Sequence, residues 1–283
     1  MHFMKPSLLI IVYISVKENC EFWEAMWMSL FNKVFASVGI GAAKVDTKLE
    51  KDRVKPGEEV RGIVEIRGGN VEQNIDDIYL SLHTTYIKEK DDRKYTATAQ
   101  IDRFRLIQSF SIKENETKEI PFTFRLPLEM PLTMGRTKVW VSTGLDIKNA
   151  VDPSDKDYLT VIPNPLMEGV FNAISNLGFR LREAECEQAP RHLRRNMPFV
   201  QEFEFIAVSG PFRGRLDELE LVFYPNSENE AEVLIQVDRR ARGLGGFLSE
   251  AMGMDETYVR MNIHVSELPA LQQKLQDTIA RYC

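Results

Sequence analysis

The fold of this chain is decided by residues 54–70, which read VKPGEEVRGIVEIRGGN. Pro56 and Gly57 suit the two central positions of a type II turn, because proline fixes φ and glycine accepts positive φ. Beyond the turn, apolar residues and one glycine recur at every second position from Val60 to Ile66. The other side of this segment is charged: Arg61, Glu65 and Arg67. The stretch therefore predicts a tight turn followed by a half-buried strand with its charges in solvent.

Alternating patterns of the same kind continue through residues 28–162, which we interpret as one β-sandwich. A first strand is predicted over residues 45–49, and further strands lie in residues 96–111, 117–127 and 158–162. The longest pattern buries the following set: Ile78, Leu80, Leu82 and Tyr86. It leaves His83 on the solvated face, where we see no partner for it. A similar pattern around residues 139–145 leaves Trp140 outward, shielded by neighbouring polar side chains.

A second sandwich is predicted over residues 166–266, after a linker at residues 163–165. Pro163-Asn164-Pro165 cannot continue a hydrogen-bonded ladder, so the segment is interpreted as a stiff connector. A helical stripe follows at Leu166, Val170, Ile174 and Leu177. Five strands with period-two patterns come next, in residues 179–186, 199–205, 219–223, 233–237 and 259–265.

The last segment, residues 267–283, carries the pattern of an amphipathic helix. Leu271, Leu275 and Ile279 recur at helical spacing, with Tyr282 beyond them. Such a helix either packs on the second domain or mediates self-association as a homodimer, and the pattern does not decide between the two.

The composition of the chain excludes some classes of function. The chain has 283 residues, 43% of them apolar and 28% charged, which is ordinary for a globular protein of two domains. The net charge is −6, neutral over residues 28–163 and acidic over residues 164–283. Because nucleic-acid binding needs a basic field, we expect no nucleic-acid partner. Cys20, Cys186 and Cys283 stand far apart without a CxxC pair, which favours a reducing cytoplasm and supports neither a disulfide framework nor a zinc site.

Residues 1–27 are expected to lie outside the fold. The apolar run at residues 8–16 is too short to span a membrane, and no small-x-small cleavage site follows it. Reverse translation of residues 22–28 permits a purine-rich ribosome-binding sequence just before Met28. We therefore expect Met28 to be the natural start, with a peripheral amino-terminal extension as the alternative. After it, residues 30–38 carry a short amphipathic pattern that packs on the domain or on a partner.

Two basic clusters in the second half are the candidate partner-binding residues. The first joins Arg239, Arg240 and Arg242 to an apolar insertion at residues 243–254, with Phe247, Leu248 and Met252 on one side of a short helix. Methionine with phenylalanine suits an adaptable docking surface, and the arginines would suit a membrane surface. The alternative is an ordinary loop helix over a sheet edge. The second cluster is Arg191, Arg194 and Arg195, which either receives an acidic partner or lies solvated in a loop.

No constellation of catalytic residues is present in the sequence. We find no GxxxxGK[ST] loop, no GxSxG elbow, no HExxH or other metal-ligand spacing, and no GxGxxG opening a helix. Only four histidines occur, and the carboxylates are expected mostly on polar faces and hairpin tips, so no acid/base pair is nominated. We therefore predict a binding protein without cofactor, metal or catalytic residues.

Two motifs resemble the arrestin-type amino-terminal sandwich. One is the Pro-Gly-Glu turn at residues 56–58 with its strand, and the other is the segment FTFRLP at residues 122–127 ahead of Pro131. From Met28 onward the chain is similar to the bacterial sporulation-control protein family, in MSLFNK at residues 28–33, GIGA at 39–42, the turn, and the segment at 179–187.

This resemblance implies an all-β, arrestin-like fold of two antiparallel β-sandwich domains joined by a short linker, with a few short helices. It also implies a regulatory protein that affects entry into sporulation through protein contacts. We find no counterpart of the buried charged cluster that holds eukaryotic arrestins inactive, so activation by phosphorylated receptors is not carried over. The alternative function is a membrane-peripheral or trafficking adaptor that uses the insertion at residues 243–254.

Overall fold

The turn predicted at Pro56 and Gly57 is confirmed. Gly57 has a φ of 81°, and the amide of Glu58 donates to the carbonyl of Lys55 across 3.0 Å, which closes the four-residue turn. The following strand buries Val60, Val64 and Ile66 completely. A type II turn therefore leads into a half-buried strand, as the sequence of this stretch requires.

The structure is a computed structural model, and it describes residues 42–91, 93–147, 153–191, 193–216, 218–238 and 258–282. These residues are mostly in strands. The strands are β1 (Lys44–Leu49), β2 (Arg53–Val54), β3 (Glu59–Arg67), β4 (Gln73–Lys90), β5 (Arg93–Ile112), β6 (Thr117–Arg125), β7 (Val139–Ile147), β8 (Ser154–Val161), β9 (Phe179–Gln188), β10 (Phe199–Ala207), β11 (Glu218–Pro225), β12 (Glu230–Asp238) and β13 (Tyr258–His264). The helices are α1 (Pro165–Asn176) and α2 (Leu268–Ala280).

The first half of the chain is a sandwich of two sheets. A three-stranded antiparallel sheet, in the order β1-β3-β6, faces strands β4, β7 and β8 of a larger sheet. Apolar side chains from both layers meet in one core that includes Val64, Phe122, Leu80 and Val141. The long strand β5 pairs with β4, and Phe104 of β5 stacks on Phe124 of β6 at 4.7 Å between ring centroids.

The larger sheet runs through both halves, in the order β13-β12-β11-β10-β9-β4-β7-β8-β2 with β5 beside β4. The two halves meet where β9 lies parallel to β4, with Ile87 opposite Glu187. Asn164, in the predicted linker, is the N-cap of α1, and its side chain accepts a hydrogen bond from the amide of Met167 at 2.9 Å. The helix therefore begins at Pro165, which suits the first helical position after a capping asparagine.

One face of strands β9–β13 packs against both helices. Phe171 of α1 contacts Phe203 and Phe223, with ring centroids 5.0 and 5.6 Å away. The apolar stripe of α2 is fully buried: Leu271, Leu275 and Ile279. The carboxyl-terminal helix therefore packs on its own half of the chain, which decides between the two alternatives for this stripe. Within the described ranges, no helix has the length and apolar character that crossing a membrane requires.

Two expectations about the outer faces are changed by the structure. His83 has a partner, since it stacks on Trp140 with 5.4 Å between ring centroids; burial and then nearby Lys156 lower the pKa of this histidine. Trp140 is shielded as predicted, with the ammonium of Lys156 3.9 Å above its ring. Glu65 is only 6% exposed although it lies on the charged side of β3, because Lys48 and Arg67 cover its carboxylate.

Candidate functional site

Strands β9, β10 and β11 carry glutamates at alternate positions, and these side chains share one face of the sheet. Glu202 lies opposite Glu185, and Glu204 lies opposite Glu183 and Glu220 on its two neighbouring strands. Residues at the intervening positions, such as Phe203, point to the helices instead. Three adjacent strands thereby build an acidic surface on the side of the sheet away from α1 and α2. We call this surface the acidic face.

Most of the acidic face is buried. Residue exposures are at most 5% for six glutamates: Glu185, Glu187, Glu202, Glu204, Glu218 and Glu220. The expectation that carboxylates lie mostly on polar faces and hairpin tips is therefore wrong for this sheet. A buried carboxylate is costly unless it is paired with a cation or holds a proton. Some glutamates of this face are paired with a cation, and burial favours the protonated form of another.

Arg182 neutralises the centre of the acidic face. Its guanidinium contacts the carboxylates of both Glu204 and Glu218. The pairing of β9 with β10 explains the position of this side chain. Glu204 is opposite Glu183 and Phe205 is opposite Leu181, so Arg182 is the extra residue of a β-bulge. A bulge re-aims the inserted side chain. Arg182, Glu204 and Glu218 thus form a buried charged cluster within strands β9–β11.

Burial favours the protonated form of Glu202. Its pKa is raised well above the ordinary value of 4.5, first because burial disfavours the charged form and then because Glu220 and other carboxylates lie nearby. Burial also raises the pKa of Glu187, although Lys94 opposes this rise. The acidic face therefore binds protons at a pH where solvated glutamates have released them.

Basic residues from the first half of the chain bind the edge of the acidic face. The guanidinium of Arg136 lies 2.7 Å from the carboxylate of Glu185, and the ammonium of Lys94 lies 3.1 Å from that of Glu187. Gly135 brings the Arg136 loop close to β9: its φ is 59°, and a Cβ there would lie 2.3 Å from the carbonyl oxygen of Ala184. Only glycine fits this approach. The two halves are thus joined by two charge contacts and a close backbone contact along β9.

We expect Arg136→Ala to lower the free energy of unfolding by about 1–3 kcal/mol, because it leaves the buried Glu185 carboxylate without this cation. Urea unfolding measures the change. Arg61→Ala is the matched control, since Arg61 and its partner Glu59 are both exposed and surface pairs contribute about 0–1 kcal/mol. Equal losses in the two variants would contradict a role for Arg136 at the junction.

An apolar cleft lies on the other side of the same junction. It lies between the loop at residues 128–131, the start of α1 and strands β10–β12. Its lining is rich in methionine and phenylalanine: Met130, Met167, Met197, Phe199, Phe203 and Phe223. At its wall the Gln201 carboxamide donates to the carbonyl of Leu132 at 2.8 Å and accepts from its amide at 2.7 Å. Methionine and phenylalanine make the lining of the cleft adaptable.

In the second predicted cluster, Arg195 is paired within the chain itself. Arg195 lies 4.1 Å from the ring centre of Tyr224, and its guanidinium is 3.0 Å from the carboxylate of Glu232. Arg260 binds the same carboxylate at 2.9 Å. Arg191 and Arg194 are exposed. The first cluster lies outside the described residues, namely Arg239, Arg240, Arg242, Phe247, Leu248 and Met252.

Among the described residues, no group of three or more His, Cys, Asp or Glu side chains is arranged to hold a metal ion. Cys186 is a free, buried thiol, and burial raises its pKa to about 12. A thiol that stays protonated to such a high pH is a poor nucleophile.

Comparisons with known proteins agree on one family. The family described as SpoOM protein matches residues 31–241 of this chain. A Bacillus subtilis (strain 168) protein named sporulation-control protein spo0M is 49% identical over 258 residues, which cover 90% of this chain and 99% of that protein. The crystal structure of Spo0M from Bacillus subtilis superposes with a TM-score of 0.81 at 48% identity, covering 86% of this chain and 100% of that one.

Proposed function

This chain belongs to the SpoOM protein family, and from that premise we propose that it is a non-enzymatic regulatory scaffold that controls an early stage of sporulation through protein–protein contacts in the cytoplasm. The sporulation role is carried by one observation. A relative named for sporulation control matches this chain along 99% of its own length at 49% identity.

The scaffold mechanism is supported by the junction of the two halves. A sheet that continues from β4 to β9, the Arg136–Glu185 contact and the Lys94–Glu187 contact hold the halves in one arrangement. Such a body presents strand edges and loops at fixed relative positions, which suits docking of extended or loop segments of partners.

The charge pattern supports protein partners rather than nucleic acid. The net charge of the chain is −6, and nucleic-acid binding needs a basic field to neutralise phosphates. Glu202, whose pKa is raised well above its ordinary value by burial and then by Glu220, is fully buried. This burial favours a structural role for the group over acid/base chemistry.

Complementation tests the proposed function. In a Bacillus subtilis strain that lacks its own spo0M, we expect expression of this chain to return the frequency of heat-resistant spores to the parental value. Immunoblotting controls for expression, and an empty vector is the negative control. A spore frequency that stays at the value of the deletion strain, despite normal expression, would contradict the sporulation role.

A further inference from the structure

The apolar cleft at the junction of the two halves has room for one side chain. Its volume is about 70 Å³. Because an engineered apolar cavity of roughly 150 Å³ holds one benzene molecule, this cleft suits a single aliphatic side chain rather than a whole small-molecule ligand. Leu128, Met167 and Phe223 of its lining are only half-buried, so the cleft opens to the surface, where such a side chain can enter.

The polar side chains inside the cleft are already hydrogen-bonded within the chain. The Gln201 carboxamide exchanges two bonds with the backbone of Leu132, and the side-chain oxygen of Asn164 accepts from the amide of Met167 at 2.9 Å. The hydroxyl of Tyr224 donates to a backbone carbonyl at 3.1 Å. A polar group that entered this space would lose its bonds to water with few partners to replace them. The interior of the cleft therefore favours an apolar group.

Two carboxylates of the lining carry charge that the described residues do not neutralise. Glu129 and Glu230 are half-buried, and one comes from each half of the chain. Glu129 accepts two bonds from the neutral side-chain amide of Asn196, at 2.9 and 3.2 Å. Within the part of the chain that the structure describes, no lysine or arginine forms an ion pair with either carboxylate. The cleft thus has a negative border around an apolar interior.

The arginines near this border are bound to other groups. Arg195 also lines the cleft, but its guanidinium lies 3.0 Å from the carboxylate of Glu232, which a second arginine binds as well. Arg125, at the end of β6, is paired with Glu228. The charge that complements this border must therefore come from the molecule that enters the cleft, as a cation beside an apolar group.

We propose that the cleft is a docking site for a protein segment in which one aliphatic side chain is flanked by lysine or arginine. The aliphatic side chain fills the cleft as an anchor, and its basic neighbours pair with Glu129 and Glu230. Three methionines of the lining, Met130, Met167 and Met197, let the cleft adjust to leucine, isoleucine or methionine. The inference rests on the proposed scaffold function, since it names the kind of partner segment that such a scaffold binds.

The probe is a short capped peptide with one leucine between two lysines and only glycine and serine elsewhere. It is titrated into the full chain, and isotope-labelled methionine methyl groups are followed by NMR. We expect the signals of Met130, Met167 and Met197 to shift, while Met261, which does not line the cleft, stays unchanged. Replacing the leucine by serine, or both lysines by glutamate, is expected to weaken binding about tenfold or more. Added salt should also weaken binding of the lysine peptide.

Glu230→Lys tests the same contact from the protein side. It places like charges together at the border of the cleft, and it is expected to weaken binding of the lysine peptide about tenfold or more. Glu114→Lys is the matched control, because Glu114 is exposed and lies at the end of β6 away from the cleft, and it should leave binding unchanged.

Three results of the titration would overturn the proposal. The first is an absence of methionine shifts, and the second is equal binding of the lysine and glutamate peptides or equal effects of the two protein variants. The third is methionine signals that change with protein concentration alone, which would mean that a second copy of the chain occupies the cleft.

Complementation separates this inference from the proposed function. If the wild-type chain and Glu230→Lys restore sporulation equally well, the regulatory role stands and the cleft is not the docking site. If the wild-type chain does not restore sporulation, the proposed function is contradicted, while the peptide titration still decides whether the cleft binds a basic segment with an aliphatic anchor.

Discussion

Replacing Arg182 with methionine is expected to lower the free energy of unfolding by about 3–5 kcal/mol, because two buried carboxylates lose their shared cation. Glu204 is fully buried and Glu218 is 1% exposed, so water cannot take the place of the guanidinium. Methionine keeps most of the packing volume of the arginine stem, which restricts the loss to the charge and its hydrogen bonds. Urea unfolding at pH 7 measures the effect.

A rescue variant separates lost charge compensation from lost packing. Adding Glu204→Gln to Arg182→Met removes one of the two stranded charges, and we expect it to recover part of the lost stability. Arg180→Met, an exposed position on the same strand, is the control and should change stability by less than about 0.5 kcal/mol. If the double variant is less stable than Arg182→Met alone, the charge explanation is wrong.

Period-two alternation predicted most strands of this fold, because each half-buried strand shows its own inward set. The segments at Val60–Ile66, Ile78–Leu82 and Leu219–Leu221 bury the residues that the pattern assigns to the core. The Pro-Gly turn was also predictable, since a type II turn depends on two adjacent residue types. Sequence patterns therefore predicted the elements that have one face in the core and the other in water.

The acidic face was missed because alternation shows which side chains share a face but not whether that face is covered. Glu202, Glu204 and Glu220 alternate with apolar residues just as solvated glutamates would. One feature of the sequence could have indicated the acidic face. Three consecutive predicted strands place glutamate at alternate positions, and like charges on neighbouring strands of one sheet face repel each other.

Arg182 could not have been assigned to the acidic face from the sequence. Strand alternation from Glu183 predicts that Arg182 points to the helix side of the sheet. Only the bulge opposite Glu204 and Phe205 directs its side chain to the acidic face. The position of a bulge depends on the register of two strands that are distant in sequence. For the same reason, the partner of Arg195 was not predictable, since Glu232 is 37 residues away.

The junction shows why the two halves are coupled through β9. One side of this strand continues the sheet from β4, and its face carries Glu185 and Glu187, which bind Arg136 and Lys94 of the first half. The same strand supplies Arg182 to the buried cluster. A change in the charge of the acidic face would therefore act on the contacts that hold the halves together.

Glu202→Gln is expected to stabilise the protein at neutral and alkaline pH and to have little effect at pH 4. The pKa of Glu202 is raised by burial and by Glu220, so the folded chain keeps a proton that the unfolded chain releases above its ordinary pKa of 4.5. Between these two pKa values the unfolded state binds fewer protons, and the free energy of unfolding falls as pH rises. For one proton the slope is at most about 1.4 kcal/mol per pH unit.

Glutamine removes this slope, because it is neutral in both states, so the stability difference between the variant and the wild type should grow as pH rises. Urea unfolding between pH 4.5 and 8.5 measures that difference. Glu65→Gln gives the opposite sign: Lys48 and then Arg67 lower the pKa of Glu65, so its contribution is present above the unfolded pKa and is lost as pH falls. A pH-independent effect of Glu202→Gln would mean that Glu202 is ionised in the folded protein, and the acidic face would then need a cation for this carboxylate as well.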